Sequence, residues 1–105
     1  MQIFELTKSF PRIEDYSLTS QVRRSSRSVA ANLAEAWCKR RYQAAFIAKI
    51  VDCEAEAAET QTWLDFATTC GYLTAEQCQG LVDEYEKLIR SFKGMVSHAD
   101  EWCHK

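Results

Sequence analysis

Residues 29–46, VAANLAEAWCKRRYQAAF, decide how many helices this chain contains. Neither Gly nor Pro occurs from Thr19 to Cys70, so breaker residues alone permit one helix of 52 residues. Hydrophobic periodicity forbids it. Leu18, Val22, Val29, Leu33 and Ala36, with Ser25 filling the missing turn, fall within a sector of about 80° on a helix. Continued in phase, that stripe would need apolar side chains at positions 40 and 44, which are Arg40 and Ala44. A new stripe of Tyr42, Phe46, Ile50, Cys53, Ala57, Leu64 and Ala67 runs roughly 240° away from the first. The chain must therefore turn near Cys38–Arg41, which places Lys39, Arg40 and Arg41 at a helix–helix corner.

The other elements follow from this break. The second helix opens near Ser17 or Thr19, both good N-caps. The third runs over about residues 42–69, on the order of 40 Å long, and ends at Gly71, a natural residue for the position after a helix. Thr74, Ala75, Glu76 and Gln77 form the S/T-x-x-Q capping box that starts a fourth helix. Its seam is Cys78, Leu81, Tyr85, Leu88, Phe92, Met95, Ala99 and Trp102, a strict alternation of three and four. Ile3, Leu6 and Phe10 predict a first helix of about two turns within residues 2–10, stopped by Pro11. The expected fold is all-α: one domain over residues 1–105, an antiparallel up-down four-helix bundle with a shortened first helix.

Composition agrees. With 47% hydrophobic residues, three Gly and one Pro in 105 residues, long helices are favoured over a turn-rich sandwich. The formal net charge is −2, which argues against a generic polyanion binder. Yet residues 20–41 hold six cations, Arg23, Arg24, Arg27, Lys39, Arg40 and Arg41, against Glu35 alone. The rest of the chain carries seven bases and fourteen acids. The N-terminus lacks the basic and apolar regions of a signal peptide, and no apolar run approaches the roughly 18 residues of a membrane span. A cytoplasmic protein with no membrane partner is expected. The five cysteines are odd in number with no C-x-x-C spacing, so free buried thiols are expected.

Catalytic and metal chemistry find little footing. The only histidines are His98 and His104, so the Glu-x-x-His pairs of a di-metal bundle are missing. Cys103, His98 and His104 could hold a metal between chains, but an exposed tail explains them better. No phosphate-binding glycine loop and no paired nucleophile and base is present. Glu54, Glu56 and Glu59 read as a solvated or ion-paired face. No enzyme activity, metal or cofactor is expected.

Trp63 and Phe66 lie off the main stripe of the third helix and, with Ala30, Ala31 and Ala34 on the second, suggest a self-association surface. The arginines have two readings. They neutralise the acids of the third helix, within or between subunits, making the protein an interaction scaffold. Alternatively they meet the phosphates of RNA or DNA through the second helix and the Lys39–Arg41 corner. Nothing supports sequence-specific base reading.

Two segments carry a family resemblance. FPRIEDYSLTSQVRRSSRSVAANLAEA, residues 10–36, resembles F-P-x-x-E-x-Y-x-L-x-x-Q-x-R-R-A-x-x-S-I-x-x-N-I-A-E-G at Phe10, Pro11, Glu14, Tyr16, Leu18, Gln21, Arg23, Arg24, Ser28, Asn32, Ala34 and Glu35. Further on, Glu56, Glu59, Thr60, Trp63, Leu64, Ala67, Gly71, Tyr72 and Leu73 fit E-x-x-E-T-x-x-W-L-x-x-A-x-x-x-G-Y-L. Both patterns mark the small bundle proteins encoded in 23S rRNA intervening sequences. The resemblance implies a four-helix bundle, a ring-like homo-oligomer, commonly a pentamer, and no enzymatic activity. A related branch of retroelement accessory proteins implies nucleic acid and a reverse transcriptase as partners. Of the cations, only Arg23 and Arg24 occupy matching basic positions. Ala36 replaces the family's glycine, which implies a less sharp turn. The first helix is shorter than the family's, implying a late start or an incomplete bundle.

Overall fold

The apolar stripe of the second helix is buried along Leu18, Val22, Ser25, Val29 and Ala36, and it faces a third helix that is apolar on more than one side. In the computed structural model, which describes residues 2–103, these are α2 (Leu18–Cys38) and α3 (Gln43–Thr69). They are flanked by α1 (Gln2–Thr7), α4 (Ala75–Ser97) and α5 (Ala99–Trp102). A single 3-10 turn, Arg12–Glu14, lies between α1 and α2. The predicted break at residues 38–41 is present. Ala36 stays helical and fully buried, so the family glycine is not needed for the turn.

Contacts between α2 and α3 run in opposite directions along the two helices. Arg24 meets Glu59, Cys53 lies against the Val29 carbonyl, and Glu35 meets Lys49. α3 and α4 are antiparallel too: the Cys78 thiol reaches the Leu64 carbonyl, and Gln61 donates to the Val82 carbonyl at 3.1 Å. No Cα of α2 comes within 8 Å of one on α4. Both long helices therefore flank α3, in an open V whose mouth α1 enters at one end, beside α2. The molecule measures 49 × 24 × 17 Å, and the 24 Å width suits three helices side by side at 8–10 Å spacing.

Two apolar clusters fill the V. One joins Ile3, Phe10, Leu18, Val22, Leu64, Leu73 and Leu81 near α1. The other joins Val29, Ala36, Phe46, Ile50, Ala57, Ile89, Phe92 and Ala99 towards the corner. Between α2 and α3 sits a buried polar pair, Thr60 Oγ1 and Ser25 Oγ at 2.8 Å.

The structure corrects several details. Helix α1 stops at Thr7, and Phe10 is buried from the loop. Tyr42 leaves the α3 stripe and is 65% exposed. Along α4 the seam passes through Ile89, and Leu88 is 40% exposed, because a straight helix drifts about 20° per heptad from a strict 3.5 repeat. The helix also breaks at His98, so Ala99 is buried from α5 while Trp102 is half-exposed. All five cysteines are free, but Cys38 and Cys70 are exposed. The Thr74–Gln77 capping box forms in full, and Gly71 takes the left-handed conformation with φ 81°.

Two threonines give opposite expectations. The Thr19 hydroxyl is buried with no partner, whereas that of Thr60 is bonded on both sides, to Ser25 and the Glu56 carbonyl. An unsatisfied buried hydroxyl costs roughly 1–3 kcal/mol and a made hydrogen bond contributes about 1 kcal/mol. Thermal unfolding should therefore show Thr19→Val raising the midpoint and Thr60→Val lowering it; the same sign for both would contradict this assignment.

Candidate nucleic-acid interface

The six cations of residues 20–41 divide into two groups by location and by what they touch. Arg23, Arg24 and Arg27 lie on α2, flanking an open groove with Tyr16, Ser20, Ser28 and Ala31. Arg23 donates from Nε to Thr7 Oγ1 at 2.8 Å, and that hydroxyl donates to the Phe4 carbonyl. Its guanidinium also lies 4.5 Å from the Phe4 ring centroid, with Arg27 at 5.8 Å from the same ring. Two of the basic residues thus fasten α1 to α2 through cation–π contact. Arg24 instead reaches across to α3, where Glu56 accepts at 3.2 Å and Glu59 makes the closer pair. Glu59 also accepts from the Trp63 indole at 3.1 Å. The acids of α3 do neutralise an arginine, and they do so within the chain.

Ionisation follows these contacts. Hydrogen bonding to Arg24, and then to Trp63, holds the Glu59 carboxyl below its ordinary range, while bonding to Glu59 raises the Arg24 guanidinium. Lys49 does the same for Glu35, at 2.8 Å. Ser17 and Tyr72 lower Glu14 by donating to it. That carboxylate also approaches the Leu18 amide at 3.4 Å, so Glu14, and not the Ser17 side chain, caps α2. Asn32 is half-buried and donates to the Ser28 carbonyl of its own helix.

Lys39, Arg40 and Arg41 form the second group, in the turn between α2 and α3. Arg40 stacks its guanidinium 3.6 Å from the centre of the Trp37 ring, and its Nε donates to the Trp37 carbonyl at 3.0 Å. A cation at the last carbonyls of α2 complements the negative end of the helix dipole, which gives Arg40 a structural reason to be there. Lys39 and Arg41 point into solvent with no carboxylate partner among the described residues. Lys39 only helps to lower Glu35 through space. Trp37 makes a T-shaped contact with Trp102 of α5, centroids 6.2 Å apart. That contact brings an aromatic pair to the basic corner, and neither stripe of the sequence signals it.

The expected self-association residues stay on the surface. Ala30, Ala31 and Ala34 are exposed on α2. Trp63 and Phe66 pack together at 5.8 Å, with Phe66 still 54% exposed beside Leu18 and Cys70. Burial pushes the Cys53 thiol up to about 11, so it is inert at neutral pH. Among the described residues no group of His, Cys, Asp and Glu could hold a metal; His104 lies outside them. Also among them, no helix is long and apolar enough to cross a membrane.

The family model for the 23S rRNA-intervening sequence protein matches residues 1–94. The chain belongs to that family. A crystal structure of a protein of unknown function from the S23 ribosomal protein family of Bacteroides thetaiotaomicron superposes with a TM-score of 0.81. It shares 26% identity over 90% of this chain and 88% of its own. No curated protein matches. The segments that carry the family pattern meet in space: Phe10 packs on Tyr72 at 5.5 Å, and the Tyr72 hydroxyl donates to Glu14 at 2.9 Å. Arg24, Glu56, Glu59 and Trp63 form a second meeting point. Much of the pattern therefore specifies architecture.

The depressed carboxyls fix a pH dependence. Glu59 ionises in the folded chain below its ordinary value of 4.5. Its stabilisation is thus complete above that pH and lost as pH falls through the folded value. Arg24→Gln should lower the unfolding midpoint at pH 7 by an amount worth under about 1 kcal/mol, since the pair is partly exposed. The gap to wild type should close as pH falls from 4.5 through the lowered folded value of Glu59. A gap independent of pH would show that the ion pair does not act this way.

Proposed function

We propose that this protein is a non-enzymatic, homo-oligomeric binder of RNA or DNA. In this reading it meets the phosphate backbone with Lys39, Arg40 and Arg41, extended by the cations of α2. The observation that carries the reading is the corner itself. In a chain of net charge −2, three consecutive cations project from a helix turn, and none forms an ion pair among the described residues. Such cations bind phosphate mainly by releasing condensed counterions. Arg23, Arg24 and Arg27 contribute less freely, because Phe4, Thr7 and the α3 carboxylates already engage them.

Self-association is supported by what remains uncovered. Ala30, Ala31 and Ala34 would let another helix approach closely, and Leu88, Phe66 and Tyr16 are exposed. Repetition of the corner around an oligomer would multiply its charge. The competing scaffold reading places arginine–carboxylate pairs between subunits; Arg24, already paired inside its own chain, favours it less.

The cleanest test leaves α2 intact. A Lys39→Gln/Arg41→Gln variant removes two cations without touching the contacts to Phe4, Thr7, Glu56 or Glu59. Binding of an RNA of about 20 nucleotides should weaken, and the slope of log K against log[salt] should fall by about two. An affinity unchanged by both the substitutions and the salt would refute the proposal.

A further inference from the structure

The aromatic side chains at the corner are not explained by phosphate binding. Trp37 is 47% exposed, Trp102 is 41% exposed and Tyr42 is 65% exposed. Indole surface of that extent is costly to leave in water. One face of Trp37 lies under the Arg40 guanidinium, and its edge contact with Trp102 holds together two rings from α2 and α5, far apart in sequence. Arg40 is held in place through Nε, while its two terminal nitrogens have no acceptor among the described residues. The result is a fixed guanidinium plane on an indole, with a second indole beside it.

A purely apolar partner fits this surface poorly. Covering Trp37 and Trp102 would strip water from Lys39, Arg40 and Arg41 with no counter-charge, and burying unpaired cations is expensive. An acidic peptide would pair the cations but leave the stacked planes unused. An unpaired nucleobase uses both, since bases stack on indole and guanidinium planes while cations track the adjoining phosphates. Asp100 and Glu101 precede Trp102 on α5, whereas residues 39–41 are all cationic, which favours the phosphates on the 39–41 side.

We propose that the α2–α3 corner binds an unpaired stretch of a single-stranded polynucleotide. Its bases stack on the Arg40–Trp37 pair and on Trp102, and Lys39 and Arg41 meet the flanking phosphates. This rests on the polyanion reading above and adds the strandedness of the ligand. Readout of base identity is not required, because every base has a stacking face.

The test compares oligomers of about ten nucleotides, one of uridine and one of thymidine, with an abasic strand carrying the same number of phosphates, by fluorescence anisotropy. At least one base-bearing strand should bind roughly tenfold or more tightly than the abasic strand, and the two arms separate RNA from DNA. A Trp37→Leu/Trp102→Leu variant, checked for helicity by circular dichroism, should bind all three strands at the abasic level. Should that variant not fold, quenching of indole emission in a Trp63→Phe background reports the same stacking. Equal affinity for abasic and base-bearing strands would overturn the stacking proposal and leave phosphate binding standing. No binding of any strand at low salt would overturn both.

Discussion

Everything in this structure depends on α3 having to satisfy two helices at once. One flank of it accepts α2, and the other accepts α4, so Phe46, Ile50, Cys53, Ala57 and Leu64 are fully or almost fully buried. Small side chains let the α2–α3 pair come close: Ser25 and Ala36 on one side, Cys53, Ala57 and Thr60 on the other, each without solvent exposure. The Ser25–Thr60 hydrogen bond adds direction to a contact that dispersion alone would leave free to slide. Both α2 and α4 pack closely on α3, while the outer face of α2 and its C-terminal corner remain turned to solvent.

Polar latches at the edges hold the rods in register. Arg24 joins α2 to Glu56 and Glu59 of α3 at one level, and Lys49 joins Glu35 nearer the corner. Glu14 collects Ser17 and Tyr72, tying the loop after α1 to the turn between α3 and α4. Each is exposed enough to be individually weak, but together they join α2 to α3 and the loop after α1 to the α3–α4 turn. These latches draw on residues through which the chain resembles its family. Arg27, on α2, and Lys39, Arg40 and Arg41, at the corner, stand outside that pattern.

Much of the architecture was legible in the sequence for a physical reason. With no Gly or Pro between Thr19 and Cys70, only a change in hydrophobic phase could mark the turn, and phase is what burial reports. The capping box at Thr74 and the left-handed Gly71 were readable because their chemistry is local. The Leu88 assignment failed because α4 does not supercoil, so its contact line slips from 88 to 89. Tyr42 failed because it caps a helix in extended geometry and does not extend the stripe below it. The basic cluster was visible as charge, but not its division into Phe4-bound, carboxylate-bound and unpaired members. The Trp37–Trp102 contact joins α2 to α5 across most of the sequence, and periodicity within single helices carries no trace of it.

The central claim, that α3 is the shared helix on which both neighbours depend, is tested most directly by native-state hydrogen exchange. Amides in the middle of α3, from Ile50 to Leu64, should exchange only through global unfolding and be the slowest in the chain, with α1 and the loop after it opening locally. Central α3 amides that exchange faster than those of α2 or α4 would contradict this account.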